Sequence, residues 1–277
     1  MSAQDLNARS AGARRPQEKR PAEVVGRGLQ GGEYLDLVIR EPVVSTSALP
    51  GQFVMLRGWT GDEPLLGRPF DVVEVDPEAG TFRLVVKVTG QGTRLLERLR
   101  PGGQLQVVGP LGRGIRDFSC ASLGLLVRGV GAAAVVYLAA EAKRRGVEVV
   151  CFLSASTAAR LVCRAELERH SSRLEIVTDD GSAGHGGEAT ARLEAYLTGR
   201  PLERLYTCGS RRFARTVQRL DEEGRTSGFL FLEERMACGL GYCHGCAVVR
   251  ADSGAREEYL LVCRDGPVFP ASGVQLA

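Results

Sequence analysis

Four cysteines near the carboxyl end of the 277-residue chain constrain its structure more than any other feature. Cys238, Cys243 and Cys246 follow the spacing C-x4-C-x2-C, and Cys263 comes after sixteen further residues. This is the ligand spacing of a plant-type [2Fe–2S] cluster, which takes four thiolates. The spacing therefore predicts that these four thiols hold a two-iron cluster.

Glycines between the cysteines favour the same interpretation. Gly239, Gly241 and Gly245 are expected to supply the positive φ angles with which a short loop can curl around a cluster. A four-cysteine zinc site is the alternative, but zinc sites usually pair their ligands in two knuckles of similar spacing. His244 lies within the loop, but a Rieske centre replaces two cysteines by histidines, and here all four are present. We therefore predict that His244 faces solvent and is not a ligand.

The charge and hydropathy of the chain exclude several classes of protein. Thirty-six basic and thirty-three acidic residues give a net charge of +3 without a concentrated basic run, so we expect no nucleic-acid partner. The longest apolar stretch, Leu123–Ala140, is interrupted by Arg128 and is too weakly hydrophobic to span a membrane. The N-terminal residues lack the apolar region of a secretory signal. We predict a cytoplasmic protein, in which eight cysteines indicate metal or redox chemistry and not disulfides.

Hydrophobic patterning divides the chain into a tail and three structural regions. Residues 1–22 are polar and aperiodic, which predicts a disordered tail. Residues 23–116 contain short apolar runs separated by Gly and Pro, which predict a small antiparallel β-barrel. In residues 117–226, strands alternate with helices, one of them predicted at Ala158–Arg169, and this alternation predicts a parallel α/β sheet. Residues 227–277 are predicted to form a small module around a bound cofactor, because so short a segment buries little core.

Three further motifs could bind phosphate groups. Arg68-Pro69-Phe70-Asp71 offers a guanidinium on a stiff backbone, and a turn containing Gly92 and Thr93 precedes a predicted helix. A third turn, containing Gly129 and Gly131, follows the first strand of the α/β region. Alone, each motif is a weak signal. A motif like that at Gly92 is more often an ordinary turn, and the turn at Gly129 and Gly131 is at least as typical of close packing between a helix and a strand.

Two loops at the ends of later α/β strands are candidate walls of a ligand site. They are Thr178–Ser182 and Cys208–Ser210. The carboxyl ends of parallel strands are where α/β sheets hold their ligands. Cys208 could touch a ligand there or simply pack in the core.

Taken in order, these motifs resemble one family. The segments RPFD, KVTGQGT, GPLGRG, RGVG, TDDGS and YTCGS are followed by ERMACGLGYCHGCAV and VCRDGPVF. This series resembles the electron-transfer subunits of NAD-dependent dihydroorotate dehydrogenase B, within the ferredoxin-reductase superfamily. The resemblance covers the chain except for its first twenty or so residues, and the cysteine motif is its most specific part.

The resemblance implies a fold, a set of cofactors and the residues that bind them. It implies an FAD-binding barrel over 23–116, an NAD-binding α/β domain over 117–226 and a [2Fe–2S] module over 227–277. The residues carried over for FAD are Arg68, Pro69, Phe70, Asp71, Val85, Val86, Lys87, Gly92 and Thr93. Gly129 and Gly131 match the nicotinamide phosphate turn, and the four cysteines named above match the cluster ligands.

Two positions depart from the family pattern. Asp71 replaces the usual Ser or Thr of the flavin motif, which would place a carboxylate beside the flavin unless Arg68 or another base pairs with it. The usual GGGxGxAP turn is written RGVGAAAV here, with one glycine and the proline lost and with Arg128 available to a phosphate.

The resulting hypothesis is an electron relay. NAD is expected to exchange hydride with FAD, and the cluster to pass single electrons to the FMN of a dihydroorotate dehydrogenase catalytic subunit in a heterotetramer of pyrimidine biosynthesis. No catalytic side chain is expected, because the cofactors carry the chemistry. One alternative is the same set of cofactors serving a hydrogenase or a ferredoxin:NADP oxidoreductase. The other is a non-catalytic scaffold subunit.

Overall fold

The computed structural model of the chain describes residues 18–252 and 257–276. The strands are β1 Arg20–Gln30, β2 Tyr34–Arg40, β3 Phe53–Arg57, β4 Arg68–Asp71, β5 Glu74–Asp76, β6 Thr81–Lys87, β7 Gln104–Leu111, β8 Ser122–Arg128, β9 Glu148–Ala155, β10 Arg173–Thr178, β11 His185–Gly186, β12 Arg204–Cys208, β13 Ser227–Phe231, β14 Ala247–Val249, β15 Tyr259–Leu261 and β16 Val268–Pro270. The helices are α1 Pro42–Ser47, α2 Gln91–Arg98, α3 Ala133–Arg144, α4 Arg164–His170, α5 Ala189–Gly199, α6 Arg211–Glu222 and α7 Val262–Asp265. Short 3₁₀ turns lie at Gly129–Ala132, Ala158–Arg160 and Ala271–Gly273.

The first sheet is antiparallel and forms the predicted barrel, with strand order β4-β3-β7-β1-β2-β6-β5. Alternate residues of β2 and β6 point inward, and Leu35, Leu37 and Leu84 are fully buried in an apolar core. Burial of this one face accounts for the alternating sequence pattern of the strands.

The second sheet is parallel except for its last strand, with order β11-β10-β9-β8-β12-β13-β16. Helices α3 and α4 pack on one face, and α5 and α6 pack on the other. The chain order reverses between β8 and β12, which is the point where an open α/β sheet leaves a crevice for a ligand. The fold class predicted from the sequence, a barrel joined to an α/β domain, is confirmed. No helix in the described part of the chain is long and apolar enough to cross a membrane.

The barrel begins earlier than predicted. Strand β1 starts at Arg20, inside the segment assigned to the tail, because it pairs there with Val107 of β7. The Arg20 guanidinium also pairs with Glu41 at 3.0 Å and donates to the Gly109 carbonyl. These contacts are distant in sequence and could not be read from the local composition. Residues 1–17 of the predicted tail lie outside the described residues.

The predicted helix at Ala158–Arg169 is divided in two. A 3₁₀ turn covers Ala158–Arg160, and α4 begins only at Arg164. Cys163 between them has a φ of 55°, a left-handed conformation that a right-handed α-helix cannot contain. The thiol of Cys163 is buried in the core of the α/β domain.

The predicted boundary between residues 226 and 227 is too early. Strand β13, Ser227–Phe231, pairs in parallel with β12 and belongs to the second sheet. Strand β16, from the last segment, then adds to β13 in the antiparallel direction. The segment SGFLF is a largely buried strand whose partners lie elsewhere in the chain. The prediction was based on the glycines and cysteines that come after this segment, and it therefore assigned the segment to the last region.

Candidate cofactor sites

The cysteine loop is folded tightly against the barrel. Gly239 and Gly241 have φ angles of 68° and 84°, as predicted, and a Cβ on Gly239 would lie 2.6 Å from Cγ of Met55. Gly245 has no positive φ, and the third such residue is instead His244, with a φ of 59°. His244 is exposed to solvent, as the sequence predicted. The loop can therefore lie on the barrel only because Gly239 lacks a side chain.

The four thiols meet as two pairs. The Cys238 thiol contacts that of Cys243, and the Cys246 thiol accepts a hydrogen bond from the backbone N–H of Cys263 at 3.4 Å. The Cys246 and Cys263 thiols also contact each other, and the Cys263 thiol interacts electrostatically with Cys238. Cys243 is exposed, whereas Cys246 and Cys263 are buried. One pair thus lies near the surface and the other near the core.

The pKa values of these thiols differ with their surroundings. Burial by itself would raise the pKa of the Cys238 thiol, but the backbone N–H groups of Leu240, Cys243 and Tyr242 lower it to about 7. Burial, followed by the neighbouring Cys246 thiol, raises the pKa of Cys263 to about 12. The N–H groups around Cys238 favour the thiolate form, which is the form that binds a metal.

This arrangement fits two iron atoms better than one metal ion. Within residues 18–252 and 257–276, no three Cys, His, Asp or Glu side chains are grouped so as to hold a single ion. Two thiol pairs, four thiolates in all, are what a [2Fe–2S] cluster requires. A tetrahedral zinc site would need the four sulfur atoms around one centre.

A second site lies between the barrel and the α/β domain. It is a cleft of about 580 Å³. Seven of the residues assigned to FAD line it: Arg68, Pro69, Phe70, Asp71, Val85, Lys87 and Thr93. The other two do not. Val86 points into the barrel core, and Gly92 lies behind Arg68, where a Cβ would come within 3.1 Å of the guanidinium.

The charges that line this cleft suit a dinucleotide. The cations are Arg68, Lys87, Arg211 and Arg235, and they face a cleft whose apolar wall includes Phe53 and Phe70. A pyrophosphate needs such cations, and a planar ring needs such a wall. At the start of α2, the Thr93 hydroxyl accepts hydrogen bonds from the N–H groups of Thr89 and Gly90, both at 3.0 Å, which fixes the predicted phosphate turn.

Arg68 does not pair with Asp71. Its guanidinium donates to the carbonyls of Leu66 at 2.6 Å and Gly67 at 3.1 Å. Burial, and then the negative charge of Glu233, raise the pKa of the Asp71 carboxyl to about 7. The expected cationic partner is therefore replaced by a second carboxylate.

The glycine turn after β8 packs against the loop after β12. A Cβ on Gly131 would lie 2.6 Å from the backbone nitrogen of Gly209, so the two loops touch where the sheet order reverses. Gly129 has a φ of 53°. The Arg128 guanidinium pairs with the Asp179 carboxylate at 2.5 Å and donates to the Ser154 hydroxyl at 2.9 Å. The two predicted wall loops thus have different roles, because one pairs with Arg128 and the other packs on the glycine turn.

A smaller cavity of about 380 Å³ adjoins the cleft of about 580 Å³. Cys208 and Ser210 line it, and Arg211 and Glu233 line both cavities. The Cys208 thiol donates to the Glu233 carboxylate at 3.6 Å. Sequence reasoning missed Arg211 and Glu233. Glu233 follows the last parallel strand, so the rule that ligands bind at carboxyl ends could have indicated it if β13 had been assigned correctly.

Comparison with known proteins agrees with this geometry. Residues 233–275 match the iron–sulfur cluster binding domain of dihydroorotate dehydrogenase B, and residues 34–114 match the oxidoreductase FAD-binding domain. The chain is 32% identical to the electron transfer subunit of dihydroorotate dehydrogenase B (NAD(+)) from Desulforamulus reducens, over 83% of this chain and 88% of the relative. It is 34% identical to the corresponding subunit from Geobacillus thermodenitrificans, over 91% and 97%.

A solved structure resembles most of the chain. The structure of an NADH-dependent reduced ferredoxin-NADP oxidoreductase superposes with a TM-score of 0.80 and 29% identity, over 91% of this chain and 89% of that one. A ferredoxin NADP+ reductase from Neisseria gonorrhoeae, at 17% identity and a TM-score of 0.61, shares the fold. With its FAD-binding barrel and its iron–sulfur cluster binding segment, the chain belongs to the family of electron transfer subunits of dihydroorotate dehydrogenase B.

Proposed function

We propose that this subunit passes electrons between a nicotinamide dinucleotide and the FMN of a dihydroorotate dehydrogenase catalytic subunit, in a cytoplasmic heterotetramer. One observation carries the proposal: residues that flank the cysteine motif on both sides line the flavin cleft. Met236 and Pro267 line that cleft, and they lie two residues before Cys238 and four residues after Cys263. A cluster held by these thiols would be next to a flavin in the cleft.

The chain's own residues would bind and orient the cofactors. Arg68, Lys87 and the turn at Thr93 would hold FAD, and the four cysteines would hold the cluster. When bound, FAD and the cluster supply hydride and single-electron chemistry, so no acid–base residue of this chain is required.

The nicotinamide dinucleotide would occupy the smaller cavity. Support comes from its position at the carboxyl ends of β12 and β13, and from the wall that it shares with the FAD cleft, formed by Arg211 and by Leu232, Glu233 and Glu234. Gly129 and Gly131 would act indirectly, by holding the turn after β8 against Gly209. The pairing of Arg128 with Asp179 leaves the turn without a free guanidinium, which is the observation that favours the scaffold alternative.

The catalytic subunit would dock over the exposed end of the cysteine loop. Cys243 is exposed there, beside Tyr242, which is 83% exposed. Leu65 is 69% exposed and lies in the loop before Gly67. This loop and the cysteine loop are neighbours, because Gly67 and Gly239 both lie against the side chain of Met55. Exposed apolar side chains around a redox centre are typical of an interaction site.

The test is reconstitution with the dihydroorotate dehydrogenase catalytic subunit from the same genome. We expect the anaerobically purified pair to elute together, to contain FAD, FMN and iron, and to link dihydroorotate oxidation to NAD reduction. Cys243→Ser should abolish that link and leave dihydroorotate oxidation by an artificial dye unchanged. Failure of the subunits to associate would contradict the proposal. Loss of all flavin reduction by NADH or NADPH would favour the scaffold, and reduction of ferredoxin in place of FMN would favour the oxidoreductase alternative.

A further inference from the structure

We propose that Asp71 lines the flavin site as a neutral carboxylic acid, and that this chain binds FAD at full affinity only while that carboxyl holds its proton. The inference rests on the proposed assignment of FAD to the cleft. It accounts for an aspartate in a cleft that the Glu233 carboxylate also lines.

The position of Asp71 makes its protonation matter to a bound flavin. It is the last residue of β4, where it is opposite Phe53 of β3, and it lines the cleft. A hydroxyl at this place would both donate and accept hydrogen bonds. A carboxylate can only accept, whereas a protonated carboxyl can again do both.

The groups around Asp71 give its negative charge little support. Arg68, three residues earlier, is bonded to the carbonyls of Leu66 and Gly67. Across the cleft, Glu233 adds a second negative charge. The Glu233 carboxylate also accepts a hydrogen bond from the Cys208 thiol. The charged side chains that face the cleft from other elements are Lys87 on β6, Arg211 at the start of α6, and Glu234 and Arg235 after β13. The one interaction that favours the charged form is a hydrogen bond from the backbone of Asp71 itself, and it lowers the pKa by less than burial and Glu233 raise it.

A proton on Asp71 also removes an electrostatic conflict. FAD carries a negatively charged pyrophosphate, and two carboxylates in the same cleft would repel it. Burial and Glu233 raise the pKa of Asp71 to about 7, so the neutral acid predominates below neutrality and the carboxylate above it. If only the neutral form binds well, the dissociation constant for FAD should be about tenfold higher at pH 8 than at pH 6.

The experiment measures FAD binding to the flavin-free chain by the quenching of flavin fluorescence, at intervals from pH 6 to pH 8. The variants are Asp71→Asn and Asp71→Ser, which cannot titrate, and Glu233→Gln, which keeps Asp71 but removes its negative neighbour. Asp76→Asn is the matched control, because Asp76 lies outside the cleft and accepts bonds from the N–H groups of Glu78 and Ala79. Circular dichroism verifies that each variant is folded.

We expect the tenfold change in the wild type and in Asp76→Asn, and a flat profile in both Asp71 variants. Glu233→Gln should move the midpoint to lower pH, because one source of the raised pKa is lost. A merely structural role of Asp71 would change the affinity but not the shape of the profile. A flat wild-type profile, or a wild-type profile that survives in both Asp71 variants, would overturn the inference. Absence of FAD binding at every pH would instead contradict the proposed function.

Discussion

The barrel and the cysteine module show two different ways of ordering a segment of chain. The barrel has seven hydrogen-bonded strands around an apolar core that includes Leu56 and Phe82. The module has three-residue strands, β14 and β15, and a loop whose residues 242–245 are exposed. Its buried side chains, among them Val262 and Phe269, pack on the second sheet and the barrel and not on a core of their own. We infer that the barrel holds its own shape, whereas the module depends on its neighbours and on a bound cluster.

The largest effect should come from removing a buried thiol. Cys263→Ser should eliminate the cluster, because it removes one of four ligands and leaves a hydroxyl beside Cys246. We expect iron to fall from ~2 atoms per chain to a small fraction of that value. FAD content should stay unchanged if the barrel is independent. Iron analysis and the visible spectrum measure both.

The matched control is Cys120→Ser, which changes a half-buried cysteine outside the module and should keep both cofactors. Loss of FAD together with iron in Cys263→Ser would show that the two regions do not fold independently.

The next largest effect should come from the boundary between the barrel and the α/β domain, where a network of ion pairs joins the two. Arg83 of β6 pairs with Asp36 at 2.7 Å, with Glu74 at 2.7 Å and with Glu166 of α4 at 2.5 Å. Arg83→Met would leave three carboxylates without this cation, and we expect unfolding to become easier by about 3 kcal/mol. Chemical denaturation measures the change.

Arg40→Met is the control for this boundary. Arg40 pairs with Glu23 on the surface of the same barrel, where the two side chains are 55% and 38% exposed. We expect a loss of no more than about 0.5 kcal/mol. Equal losses in the two variants would mean that the buried network contributes nothing beyond a surface pair.

The boundary between the barrel and the module should be sensitive to a single methyl group. Gly239→Ala places a Cβ 2.6 Å from Cγ of Met55 at a positive φ, so we expect lower iron occupancy and a destabilisation of about 2 kcal/mol. Gly245→Ala is the control in the same loop, because its Cβ would lie 3.6 Å from the Cys243 sulfur and its φ is not positive. Similar iron contents in the two variants would show that the contact with Met55 does not order the loop.

The sequence predicted those parts of the molecule that depend on local pattern. Short apolar runs separated by Gly and Pro indicated the barrel, and the spacing of the cysteines indicated the cluster ligands. Contacts between distant segments were not predictable in this way. The left-handed Cys163, the pairing of Arg128 with Asp179 and the proximity of Glu233 to Asp71 each depend on how separate segments come together. The departure at Asp71 was visible in the sequence, but its partner was not.

The antiparallel strand β16 has a mechanical consequence for the relay. It begins five residues after Cys263 and is hydrogen-bonded along β13, so the module is joined to the sheet by a strand and not by a tether. Thermal motion of the sheet would therefore move the thiols together with it. The gap that an electron must tunnel through between cleft and cluster should stay constant while the outer face of the loop adapts to a docking protein.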